Sequence, residues 1–317
     1  MRSGVVLAQV PVTLFTVVMG LCGFTLALRA GEAAAGLTHF LSGAAHVLTL
    51  AVFGVVAVAY LAKAVRHPGT VAEEWRHPVS LAFFPAISIS LVLFSLVMLD
   101  VVPGIAHALF LVAVPAQLVL TLAVVSGWIG SRSFEHGHLT PAWFIPAVGN
   151  VIVAIAGVPM GYVEVSWFFA AVGLMFWVVL LTLVMNRLIF HDPLPERLQP
   201  TLVILVAPPA VGYLAWVGLV GDVDAFARVL LNLAYLFVLI VAAQIPRLAA
   251  LSFSLSSWAL SFPVAAVTVA SFTHAEAVGS GAHAAIGFGL LAVLVAIIAG
   301  LLWRTGQALS RGVLFGG

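Results

Sequence analysis

Two short clusters contain side chains able to ligate a metal: Glu135-His136-Gly137-His138 and His274-Ala275-Glu276. Imidazole and carboxylate groups suit zinc and related ions, which need three or four such ligands converging on one point. The clusters fall in loops on opposite sides of the element pattern described below, so they cannot share an ion. No glycine-rich phosphate loop or nucleophile elbow accompanies them. Enzymatic function is therefore not expected, and neither a metal nor a cofactor is. The more informative residues are prolines beside apolar side chains: Phe83-Phe84-Pro85, Phe144-Ile145-Pro146, Ala207-Pro208-Pro209 and Phe262-Pro263. A proline lacks the backbone N–H and clashes with the carbonyl four residues earlier, so it breaks a helix. The carbonyls freed in this way would be those of Leu81, Ala142, Leu205 and Ala259.

The elements holding these prolines are membrane helices. The chain of 317 residues is 63% hydrophobic and 7% charged, with a mean hydropathy of +1.23. Soluble domains have about 25% charged residues. The net charge of +1 excludes the dense basic surface that nucleic-acid binding requires. Cys22, the single cysteine, lies in an apolar run and reads as a core residue. About 20 apolar residues cross the hydrocarbon, and ten runs qualify: 11–28, 41–62, 78–99, 105–130, 139–158, 165–186, 199–219, 225–246, 251–273 and 284–303. The first opens after a single basic residue, Arg2, without a cleavage pattern, and is expected to be a membrane helix, not a signal peptide. Loops are short, so a single transmembrane domain is expected over 1–317, with its core at about 11–304.

Basic residues divide sharply between the two sides. Arg2, Lys63, Arg66, Arg76, Arg132, Arg187, Arg197, Arg247, Arg304 and Arg311 fall on the side of the termini and the loops after even spans, against Arg29 and Arg228 opposite. The positive-inside rule then puts both termini in the cytoplasm.

The prolines at 85, 146, 209 and 263 recur at 61, 63 and 54 residues, always in odd spans. In the first span Phe15-Thr-Val-Val-Met-Gly20 occupies the comparable place. The unit is a helical hairpin of about 60 residues, repeated five times. In a bilayer, broken backbone is tolerated where it is packed in protein or borders a wet cavity. Prolines Pro85, Pro146, Pro208, Pro209 and Pro263 are thus expected to kink an inner ring of five odd helices around a pore, with five even helices outside. Thr13, Thr16, Ser80, Ser88, Ser90, Asn150, Ser257, Ser261 and Thr268 are polar groups of the inner helices, able to hydrate a pore or to bond back to their own helix.

This pattern resembles the slow-type anion channel family, which includes a plant guard-cell channel, bacterial tellurite-resistance proteins of the TehA type and fungal dicarboxylate (malate) transporters. The resemblance rests on the five hairpins, His77-Pro78 opening the third span, Phe83-Phe84 and the Phe262-Pro263 pair, and it runs from Pro11 to about Arg304. It implies a homotrimer with one pore per protomer, Phe262 occluding that pore, and Phe83 and Phe84 facing it. Phe15, Phe144, Asn150 and Ser261 complete the expected lining. The chain departs from many bacterial relatives in having Val18 where they have a proline, which questions the kink in the first helix.

The resemblance implies an anion channel for small monovalent ions such as chloride or nitrate, in a bacterial inner (plasma) membrane. A secondary carrier or exporter of dicarboxylates, sulfite or tellurite-type oxyanions is the alternative. Against the carrier, no Asp or Glu lies inside the ten runs, and His46 and His107 lie in even spans. The partners expected are the anions, the lipid bilayer and further copies of the chain.

Overall fold

The computed structural model describes residues 7–131 and 134–312, and all regular structure among them is helical. Arg2 and Arg132, and the side chain of His136, lie outside the described residues. Five helix pairs follow one another: α1 (Phe15–Ala34) with α2 (Phe40–Arg66), α3 (Pro85–Met98) with α4 (Pro103–Ser126), and α5 (Phe144–Gly157) with α6 (Val163–Phe190). The last two pairs are α7 (Ala207–Val220) with α8 (Ala225–Ala242), and α9 (Ser261–Val278) with α10 (Gly281–Ser310). Members of a pair pack on each other across turns of two to five residues, as antiparallel neighbours do. Gly221 (φ 78°) and Gly279 (φ 65°) end α7 and α9 in left-handed backbone that a side chain would strain.

Each odd helix is preceded by a 3-10 segment: Val12–Leu14, Ser80–Phe83, Pro141–Trp143, Glu196–Val206 and Leu255–Leu260. The prolines follow these leads. Pro85 opens α3, while Pro146, Pro208, Pro209 and Pro263 lie within the first three residues of α5, α7 and α9. The first turn of an α-helix has no internal acceptor for its N–H groups, so proline costs least there. The break is thus a change of helix type, not a mid-helix kink. Two of the four carbonyls expected to be free are engaged, Leu81 accepting from the Phe84 N–H and Ala142 from that of Phe144. The first span makes the same 3-10 to α change without a proline.

Nine helices, counted with their leads among the described residues, are long and apolar enough to cross a membrane. The sequence count of ten differs at Pro141–Gly157, which is apolar but shorter. Its 3 residues of 3-10 helix and 14 of α-helix extend about 27 Å. The first helix also continues past residue 28, bringing Arg29 and Glu32 into its last turns. The connection between the first two pairs, read from sequence as a loop, contains a helix at Pro68–Arg76.

Burial alternates along the chain. In the long odd spans 67–83% of the most apolar window is buried, against 22–33% in the even ones. The odd helices pack in order, α1 on α3, α3 on α5, α5 on α7 and α7 on α9, and α9 returns to α1. Small residues make that last contact close. A Cβ on Gly20 would stand 2.1 Å from Ser261 Oγ, and one on Gly23 would stand 2.9 Å from Ala265 Cβ and 3.2 Å from the Phe262 ring. We expect Gly20→Ala to destabilise the protein by about 1–3 kcal/mol through overpacking, with Ser261→Ala restoring part of the loss. Melting in detergent measures both, and an unchanged midpoint for Gly20→Ala would refute the tight contact.

Candidate functional site

The odd spans border two adjoining cavities. The larger, about 500 Å³, is bordered by Gly23, Leu26 and Ala30 of α1, Leu93 and Leu96 of α3, Ile152 and Ile155 of α5, Val211 and Leu214 of α7, and Ala265, Ala266 and Val269 of α9. Its mouth lies at the turns within the pairs, beside Arg29, His39, Asp100 and Pro159. The smaller, about 30 Å³, lies at the level of the 3-10 leads, among Thr16, Met19, Phe83, Ile145, Val148, Ile204 and Ala207. Among the described residues, none of an even helix borders either one. The two linings have a single residue in common, Phe262.

The walls are apolar because the polar groups of these helices are satisfied elsewhere. Ser88, Ser90, Ser261, Thr268 and Ser271 each donate to a carbonyl three or four residues back in their own helix. Charge is confined to the mouth of the large cavity. There Arg29 Nη1 donates to Asp100 Oδ2 at 2.6 Å, and Nη2 donates to the Val97 carbonyl at 3.2 Å. Glu32, one turn beyond Arg29, is buried and accepts from the Leu41 and Ser42 N–H groups, closing the start of α2.

A family profile, SLAC1, described as voltage-dependent anion channel, matches residues 9–306. The chain belongs to the voltage-dependent anion channel family. It is 29% identical over 235 residues to the S-type anion channel SLAH3 of Arabidopsis thaliana, covering 74% of this chain and 37% of that one. It is 26% identical over 238 residues to the guard cell S-type anion channel SLAC1 of the same plant, covering 73% and 42%. An archaeal protein, the uncharacterized transporter MJ0576 of Methanocaldococcus jannaschii, is 25% identical over 272 residues, covering 77% of each. The chain spans less than half the length of these two plant relatives.

Within this member of the voltage-dependent anion channel family, the residues singled out from sequence separate into two groups. Phe262 and Phe83 border the cavities. Phe15, Phe84, Phe144, Asn150 and Ser261 border neither. The Phe15 ring meets Tyr60 of α2 edge-on and that of Phe84 meets Trp75. Phe144 is fully buried. Asn150 Nδ2 donates to the Pro146 carbonyl at 2.7 Å and to Thr121 of α4 at 3.1 Å. Gln117 of α4 joins the same network, accepting from Ser88 and donating to the Pro146 carbonyl. These groups tie α3, α4 and α5 together inside the apolar layer.

Sequence reasoning passed over most of the actual lining. Residues 16, 19, 23, 26, 30 and 33 of the first span, 145, 148, 152, 155 and 159 of the fifth, 204, 207, 211 and 214 of the seventh, and 259, 262, 266 and 269 of the ninth all border the cavities. They step by three and four residues, one helix face each. Of the two clusters with metal-ligand chemistry, His138 accepts from the Glu135 N–H, whereas the second lies not in a loop but in the last turns of α9, where His274 is buried against Tyr213 at 3.1 Å.

Proposed function

We propose that this protein is an anion channel whose conduction path runs along the axis of an inner ring of five odd helices, with the even helices outside. The observation that carries this reading is the position of Phe262, the one residue bordering both axial cavities, each lined by all five odd spans. The ring separates a wide outer vestibule from the narrow level of the 3-10 leads, as a closed gate does. The names of the plant relatives, S-type anion channels, support the same reading. Small monovalent anions, chloride and nitrate, are the permeant ions proposed, because an apolar wall offers no site deep enough to retain a multivalent one. Arg29 at the mouth supplies a cationic group to the large cavity's lining, beside His39. Asp100, beside it, is bonded to Arg29 and exposed.

The proposed setting is a bacterial inner membrane with the arginine-rich side cytoplasmic, Pro141–Gly157 as the tenth crossing, and three copies per assembly, each with its own pore. Reconstitution into planar bilayers tests the function. Current should reverse near the chloride and nitrate equilibrium potentials and rise linearly with driving force, while malate passes poorly. Saturable flux that follows the proton gradient, with no voltage-driven current, would sink the channel and favour the dicarboxylate or oxyanion carrier.

A further inference from the structure

We infer that the protein binds an anionic phospholipid in a cleft between α10 and the lead into α9, on the arginine-rich side. Two adjoining spaces form this cleft. The outer one, about 430 Å³, is bordered by Arg304, Gln307 and Ala308 of α10 and by Arg311, which caps its C-terminal end, facing Phe253, Ser254 and Leu255. The inner one, about 240 Å³, is an apolar slot bordered mainly by Leu251, Leu260, Ala296, Ile297, Gly300 and Leu301. Phe253 and Arg304 border both, so a cationic site opens directly into an apolar one.

The charges there are uncompensated. Among the described residues, neither Arg304 nor Arg311 makes an ion pair or a hydrogen bond through its guanidinium. They stand seven residues apart, Arg304 in the last turns of α10 and Arg311 at its C-cap, and Gln307 between them borders the same space. Guanidinium groups bind phosphate through paired N–H donors. Ser254 adds no free hydroxyl, because its oxygen caps the lead Leu255–Leu260 and its O–H is engaged by Ser256 Oγ at 2.9 Å. Trp303, beside Arg304, is exposed, and exposed tryptophan marks the level of lipid headgroups. A soluble anion would use the arginines and leave the slot empty. A phospholipid fills both, its phosphate on Arg304 and Arg311 and an acyl chain along Gly300. The leaflet concerned, the cytoplasmic one, follows from the orientation proposed above. The bound lipid would touch the lead of α9, which ends two residues before Phe262 and is held to α10 by the bond from Trp258 Nε1 to Thr305 at 3.0 Å.

Native mass spectrometry of delipidated full-length protein, titrated with phosphatidylglycerol or phosphatidylcholine, tests the site. Wild type should retain phosphatidylglycerol about tenfold better than phosphatidylcholine, which has the same phosphate but would set its choline cation beside the two guanidinium groups, a difference of about 1.4 kcal/mol. Arg304→Gln with Arg311→Gln should abolish that preference. Gly300→Leu should lower retention of both lipids severalfold, since a Cβ there has no neighbouring atom within 4 Å and the larger side chain projects into the slot. Equal retention of the two lipids by wild type, or a preference unaffected by loss of both arginines, would overturn the proposal. So would displacement of the lipid by glycerol 3-phosphate at comparable concentration, which would make the cleft a site for small anions. Melting midpoints of both variants verify folding independently of conduction.

Discussion

Phe262→Ala should raise anion current at least tenfold over wild type at the same voltage and protein density. A tenfold gain corresponds to about 1.4 kcal/mol at the barrier, a small part of what an ion loses when it is stripped of water in an apolar gap. The ring borders the cavity of about 500 Å³ on one side and that of about 30 Å³ on the other. Its removal joins them, and water that enters the joined space removes most of the desolvation cost. Buried Phe→Ala substitutions cost about 3–5 kcal/mol of stability where the ring is packed on all sides. Phe262 already faces space on two sides, so the loss should fall at the low end of that range. Phe262→Leu, shorter but still apolar, should conduct at an intermediate level. A folded Phe262→Ala protein that conducts no better than wild type would remove the gate from this position.

The hairpin repeat and the division into buried odd and exposed even helices were legible in sequence, because both follow from apolar run lengths and from the placement of proline. The form of the break was not. Proline predicts disruption, whereas the chain changes from 3-10 to α geometry and seats the prolines where no α-helical bond is lost. The first span changes geometry with no proline, so tertiary contacts are enough to set the junction. The lining was misjudged for a geometric reason. Successive helical residues are rotated by roughly 100°, so Phe15, Phe84, Phe144 and Ser261 each stand one step from a residue that does border a cavity: Thr16, Phe83, Ile145 and Phe262. Stepping by three and four residues from Phe262 would have reached Ala259, Ala266 and Val269. Phe15, Phe84 and Phe144 drew attention as aromatic and Ser261 as polar, but the large cavity is walled mainly by Gly, Ala, Val, Ile and Leu. Arg29 was counted as a loop charge because the apolar run ends at residue 28, although the helix continues to Ala34.

The same misreading of a charge as a loop residue conceals what holds the first span in place. Lys63, at the end of α2, is nearly fully buried. Its ammonium donates to Glu74 Oε2 at 2.8 Å and to the Val10 carbonyl at 2.7 Å. Glu74, from the helix Pro68–Arg76, also accepts from Tyr60 Oη at 3.1 Å and, through Oε1, from the Val12 N–H at 2.6 Å. The carboxylate thus caps the 3-10 lead of the one odd span without a proline in its first helical turn. Glu74→Ala should cost about 3–5 kcal/mol, the usual result of leaving one partner of a buried pair uncompensated. It should also loosen the start of α1, which packs against α9 at the level of Phe262, so conduction should change together with stability. Lys63→Met should cost less, because Glu74 is partly exposed and keeps its bonds to Val12 and Tyr60. The pair Lys63→Met with Glu74→Gln should be more stable than Glu74→Ala alone, since no buried charge then lacks a partner. Denaturant titration of the single and double variants in detergent measures the coupling. A loss below about 1 kcal/mol for Glu74→Ala would place the pair with ordinary surface bridges and leave the first span anchored by packing alone.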